Sequence, residues 1–122
     1  MPDATTTLAD LRDLVRRFVE ERDWRQFHSP KNLSMSLAIE AAELMEHFQW
    51  IDLSESRAIK GQPQKLAQVR EELADVLCYA LALANELEID LSAAVRDKMV
   101  KNAAKYPVDL SRGRYDPPPT NP

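Results

Sequence analysis

Four stretches of the chain carry apolar residues at helical spacing. In the first, Leu8, Leu11, Leu14, Val15, Phe18 and Val19 recur at three and four residues and predict a helix ending near Arg22. Any of Thr5, Thr6 and Thr7 can cap it, and residues 1–6 read as a frayed start. The second stripe is Leu37, Ala41, Leu44, Met45 and Phe48, in a helix ending near Trp50. Ser29-Pro30 reads as a cap followed by a first-turn proline, and Asn32 and Ser34 are further cap candidates. This helix has another apolar flank in Met35, Ile39 and Trp50, and a helix apolar on more than one side is buried on more than one side. In so short a chain that points to self-association. Residues 51–63 read as a connector with room for one helical turn after Ser54, punctuated by Gly61 and Pro63. The third helix runs from about Gln64 to Leu87, with Leu73, Val76, Leu77, Ala80 and Leu81 as its stripe. Asp90 is a cap for a fourth, from Leu91 to about Tyr106, stopped by Pro107.

Val and Ile never alternate with polar residues over a useful length, and Gly61 and Gly113 are the only glycines. The fold class is therefore all-α: one domain over residues 1–110, followed by a flexible proline-rich tail over 111–122.

Charge enters beside the stripes. Glu40 and Glu43 stand three residues apart along the edge of the second helix, and Glu72 and Asp75 do the same on the third. At about 100° per residue His47 shares the face of the first pair and Tyr79 that of the second. If the helices pack through their stripes, four carboxylates converge on one seam. Crowded carboxylates repel and lose hydration, so such a seam requires protonation, paired cations or a divalent metal. All-oxygen donors suit Mg²⁺, Mn²⁺ or Ca²⁺, and a site that leaves room for phosphates suits Mg²⁺. The competing reading is two solvated acidic faces.

Three other groups bear on chemistry. Trp24, Phe27 and His28 crowd a connecting segment, either plugging the bundle end or walling a pocket for a planar ligand. Lys98, Asn102 and Lys105 recur at i, i+4, i+7, either as a solvated basic face that suits the helix C-terminus or as a phosphate-facing strip. The lone Cys78 reads as a small buried core residue with no partner for an internal disulfide. A net charge of −4 argues against a nucleic-acid or anionic-membrane partner. No apolar run approaches a membrane span, and the first residues lack the order of a signal peptide, so the expected location is cytoplasmic.

The segments RDWRQFHSPKNL, IEAAELMEHFQW, EELADVLCYALALA and DKMVKNAAKYP together resemble the MazG-like nucleoside triphosphate pyrophosphohydrolases, the short dCTP pyrophosphatase branch above all. The likeness covers about residues 8 to 108 and includes the ExxE and ExxD motifs, separated by 28 residues. It implies a four-helix MazG-like bundle completed by oligomerisation, as a dimer or a dimer of dimers. It further implies Mg²⁺-dependent cleavage of a nucleoside triphosphate to the monophosphate and pyrophosphate, with Mn²⁺ as a substitute metal. By position Glu40, Glu43, Glu72 and Asp75 match the metal ligands and catalytic acids. Lys98, Asn102 and Tyr79 match residues near the phosphates, and Trp24, His28 and Trp50 match the surroundings of the base, some reached from another subunit. The expected substrate is dCTP or a 5-modified form of it. A non-catalytic helical interaction module, or a related hydrolase of dUTP or phosphoribosyl-ATP, remain the alternatives.

Overall fold

The computed structural model describes residues 1–116. Every regular element among them is helical: α1 (Leu8–Glu21), α2 (Pro30–Glu46), α3 (Leu53–Ala58), α4 (Pro63–Leu87), α5 (Leu91–Lys105) and α6 (Val108–Ser111), with short 3₁₀ turns at Asp3–Thr5, Arg25–Phe27 and Ile59–Gly61. The all-α expectation holds. None of these helices is long and apolar enough to cross a membrane.

Local chemistry explains the boundaries. Thr7 starts α1 with a reciprocal capping box, its side chain accepting from the Asp10 N–H while the Asp10 carboxylate accepts from the Thr7 N–H. Ser29 rather than Asn32 or Ser34 caps α2: its hydroxyl accepts from the Asn32 N–H at 3.1 Å, and Pro30 loses nothing in the first turn, where an N–H has no helical acceptor. The helix ends at Glu46, not Trp50. There the ladder tightens into i→i+3 bonds, His47 N–H to Leu44 and Phe48 N–H to Met45, and the chain turns. In the connector, helix begins earlier than expected because Asp52 caps α3, accepting from the Glu55 N–H at 2.8 Å. Tyr106 ends α5, and Pro107 then opens the short α6, which was not expected.

Met1–Glu88 forms one compact unit and Ile89–Pro122 a second. In the first, α2 and α1 both pack on α4. Among the described residues its buried positions are few: Val19, Leu33, Ile59, Leu81, Ala82 and Ala84. A polar clamp joins α1 to the end of α4: Arg12 donates to Asn85 Oδ1 at 3.0 Å and to the Ala84 carbonyl at 3.1 Å, and the Asn85 amide donates back to the Arg12 carbonyl. The α4 stripe divides differently from the expectation. Leu81 is buried, while Leu73 and Leu77 are exposed, because α4 is apolar around more of its circumference than two neighbours can cover.

In the second unit Asp90 caps α5 through the Ala93 N–H, as expected. Of the proline-rich tail, residues 117–122 lie outside the described residues; before them Arg114 and Asp116 form an ion pair at 2.7 Å.

Candidate metal and nucleotide site

Where α2 lies along α4, carboxylate oxygens of Glu40, Glu43 and Glu72 come within 4.8 Å of one another. The i, i+3 spacing on α2 and the packing of the two helices suffice to bring them together. Glu40 and Glu72 are half-buried. One oxygen of each, Glu40 Oε2 and Glu72 Oε2, is shielded from solvent without a hydrogen-bond partner. Orphaned acceptors of this kind are costly unless a proton or a cation satisfies them.

The electrostatics agree. Burial pushes the Glu40 carboxyl up to about 7, helped by a hydrogen bond with Glu43 and by the negative charges of Glu43, Asp75 and Glu72. Glu72 is raised in the same direction, first by burial and then by Glu43, with His47 opposing. His47, which the spacing puts on the acidic face, stands with its Nε2 4.0 Å from Glu72 Oε1, across the helix interface. The i, i+4 relation to Glu43 was the available signal.

Asp75 stays outside the group of converging oxygens, but its charge is felt by both Glu40 and Glu72. It lies at the edge of a cavity of about 480 Å³, otherwise lined mainly by apolar and aromatic groups that include Phe18, Trp24, His28, Cys78 and Tyr79. That size and lining suit a small planar molecule. Cys78, expected in the core, is instead exposed on this wall, because it faces the open cavity rather than the packed side of α4; partial desolvation and the Asp75 charge raise its thiol. Tyr79 and His28 also border a shallower cavity of about 440 Å³ with Asn32, Leu33, Ser36 and Ile39.

The aromatic segment is aimed by the end of α1. Asp23 adopts φ +53°, the Asp23 N–H bonds to the Glu20 carbonyl and the Trp24 N–H to the Val19 carbonyl, each at 3.0 Å. This is a Schellman closure, in which the residue after the left-handed one folds back onto the last turn. Trp24 therefore meets Phe18 edge to face at 5.6 Å. Arg25 reaches Glu86 of α4 at 3.3 Å, and the Asn32 amide donates to the Phe27 carbonyl at 3.2 Å, so both ends of the segment are tied.

Of the residues singled out in the sequence, Glu40, Glu43 and Glu72 converge, and Asp75, Trp24, His28 and Tyr79 line the adjoining cavity. Trp50 joins neither; it follows α2 with 87% of its surface exposed. Lys98 and Asn102 lie on α5 in the second unit, where Asn102 makes a weak 3.7 Å contact to the Met99 sulfur.

The chain is 49% identical over 107 residues to rat dCTP pyrophosphatase 1, covering 88% of the chain, and 45% identical over 106 residues to the human protein of that name. It spans only 63% of the length of the rat protein and 62% of the human one. A crystal structure of a pyrophosphatase from Archaeoglobus fulgidus superposes with a TM-score of 0.75 at 40% identity, covering 88% of this chain and 98% of the other. Residues 35–114, which include both acidic motifs, match the MazG-like family, and the chain belongs to that family.

Proposed function

We propose that this chain is a Mg²⁺-dependent nucleoside triphosphate pyrophosphohydrolase whose preferred substrate is dCTP or a 5-modified dCTP. The observation that carries the reading is the adjacency of two features. Three acidic side chains offer oxygens within 4.8 Å of one another, and an apolar cavity begins at the neighbouring Asp75. The dCTP pyrophosphatase relatives and the archaeal pyrophosphatase support the reaction and the base.

The donor set fits a hard divalent cation, because the oxygens are close, anionic and partly orphaned. Glu40, Glu43 and Glu72, with Asp75 beside them, would hold it. A bound Mg²⁺ neutralises phosphate charge and acidifies the attacking water. Mn²⁺ would substitute, having the same taste for oxygen donors.

The chain's own residues supply the rest. Trp24, His28 and Tyr79 receive the base in the cavity, stacking giving affinity and polar edges giving choice. Trp50 completes the base surroundings from another subunit of a homo-oligomer, a dimer of dimers. Tyr79, which lines the same cavity as Asp75, helps to orient the phosphates. A carboxylate, Glu43 or Glu72, takes the proton of water as its oxygen adds to the α-phosphorus. The bond between that phosphorus and the α–β bridging oxygen breaks, and pyrophosphate leaves. No covalent nucleophile is needed, since phosphoryl transfer asks chiefly for positioning and charge neutralisation. A nucleotide substrate fits a cytoplasmic enzyme.

Hydrolysis in water enriched in heavy oxygen tests the direction of attack. Label in the nucleoside monophosphate is the expected result; label in pyrophosphate or orthophosphate would overturn it.

A further inference from the structure

The wall of the nucleotide cavity continues beyond the side chains that line it. The Trp24 ring meets the Phe18 ring edge to face, with centroids 5.6 Å apart and planes at 78°. Phe18 is in turn covered by a cation: the Arg22 guanidinium carbon sits 3.8 Å from its ring centroid. Arg22 is itself fixed, donating to the Phe18 carbonyl at 3.0 Å one helical turn back. Its carboxylate neighbour Glu21 is 3.7 Å away and mostly exposed, so the pair is a loose one. The result is a relay of two contacts at the end of α1, Arg22 over the face of Phe18 and Phe18 edge to face with Trp24. Phe18 and Trp24 remain 47% and 43% exposed, so packing alone does not hold them.

We infer that Arg22 is a positioning residue for the base-binding wall, acting through the Phe18 ring on the orientation of Trp24. The inference rests on the assignment of this cavity to the nucleotide base. An aromatic ring contacted on one side only has freedom about χ1 and χ2, and a cation over the face removes much of it. The influence belongs to binding rather than to bond cleavage, because Arg22 is not among the residues lining the cavity and touches no acidic ligand.

The test is steady-state hydrolysis of dCTP by the parent chain, Arg22→Ala, Arg22→Lys, Phe18→Leu and the double variant. A second readout is acrylamide quenching of Trp24 fluorescence in a Trp50→Phe background, which leaves Trp24 as the sole tryptophan. Arg22→Ala is expected to raise KM about 3- to 5-fold at unchanged kcat, the range of an exposed cation–π contact, and to increase quenching. Arg22→Lys is expected to restore most of both, and in the Phe18→Leu background Arg22→Ala should add nothing further. Unchanged KM and quenching in Arg22→Ala, with a normal parent, would overturn the inference alone. A fall in kcat, or an undiminished Arg22 effect without the Phe18 ring, would also overturn it. A parent with no activity on any nucleoside triphosphate would overturn the pyrophosphohydrolase reading and the positioning role with it. Should Arg22→Ala fail to fold, the Arg22→Lys and Phe18→Leu measurements decide.

Discussion

Glu40 is the residue at which fold and chemistry conflict. Its carboxyl is pushed up to about 7 by burial and by acidic neighbours, so the metal-free protein keeps a proton there that the unfolded chain releases near 4.5. Between those values the folded state binds more protons than the unfolded state, and stability falls as pH rises. Thermal melts of metal-free protein should show this loss between about pH 4.5 and 7, and Glu40→Gln should flatten it. A profile identical in the variant would remove Glu40 as the cause. Divalent cation should raise the melting temperature far more at pH 8 than at pH 5, since binding must displace that proton. Under the proposed function the same crowded acids are required for turnover. Glu43→Gln and Asp75→Asn should each lower kcat/KM by on the order of 10²-fold or more, with helicity by circular dichroism unchanged. Full activity in both would sink the site. The convergence of Glu40, Glu43 and Glu72 was legible in sequence because i, i+3 spacing fixes which carboxylates share a helix face, but the same reading places Asp75 among them, and it stays outside the group. The contact of His47 with Glu72 was not legible, since it depends on how far apart two helices lie along their axes.

Among the elements, the least expected feature with a consequence for the site is the end of α1. Helices usually close through glycine in the left-handed position, and here Asp23 occupies it at φ +53°. Asp23→Gly should therefore stabilise the protein, by about 1 kcal/mol in chemical denaturation, without disturbing Trp24. A destabilised variant would mean that the Asp23 carboxylate, which accepts from the Gln26 amide at 3.3 Å, matters more than backbone strain. The sequence showed aromatic crowding at 24–28 but not its geometry, because a Schellman closure without glycine carries little compositional signal. Caps were partly legible: Asp90 stands out, Thr7 is one of three adjacent threonines and Ser29 one of three candidates for α2, whereas Asp52 is hidden in a stretch that reads as connector.

At the scale of the whole molecule, apolar surface outruns what one chain covers. Met35, Ile39 and Trp50, the second flank of α2, are 47%, 58% and 87% exposed, and Leu73 and Leu77 of α4 are exposed as well. Flanks of this kind mark protein–protein contact. Light scattering on size-exclusion fractions should therefore give a mass of two or four chains of 13.9 kDa, and Ile39→Glu should shift it downward. A monomeric parent would contradict self-association and leave Trp50 without a role in base binding. Periodicity revealed that α2 has a flank to spare, but the identity of its partner is no property of a helix pattern.

On the proposed function the acidic seam and the aromatic cavity form one site for a nucleoside triphosphate. The most direct test of that reading is incubation of purified protein with a panel of nucleoside triphosphates, with and without Mg²⁺, and separation of the products by ion exchange. The expected result is nucleoside monophosphate and pyrophosphate, only with metal present and fastest from dCTP or a 5-modified dCTP. Nucleoside diphosphate and orthophosphate, or no product from any nucleotide, would contradict it.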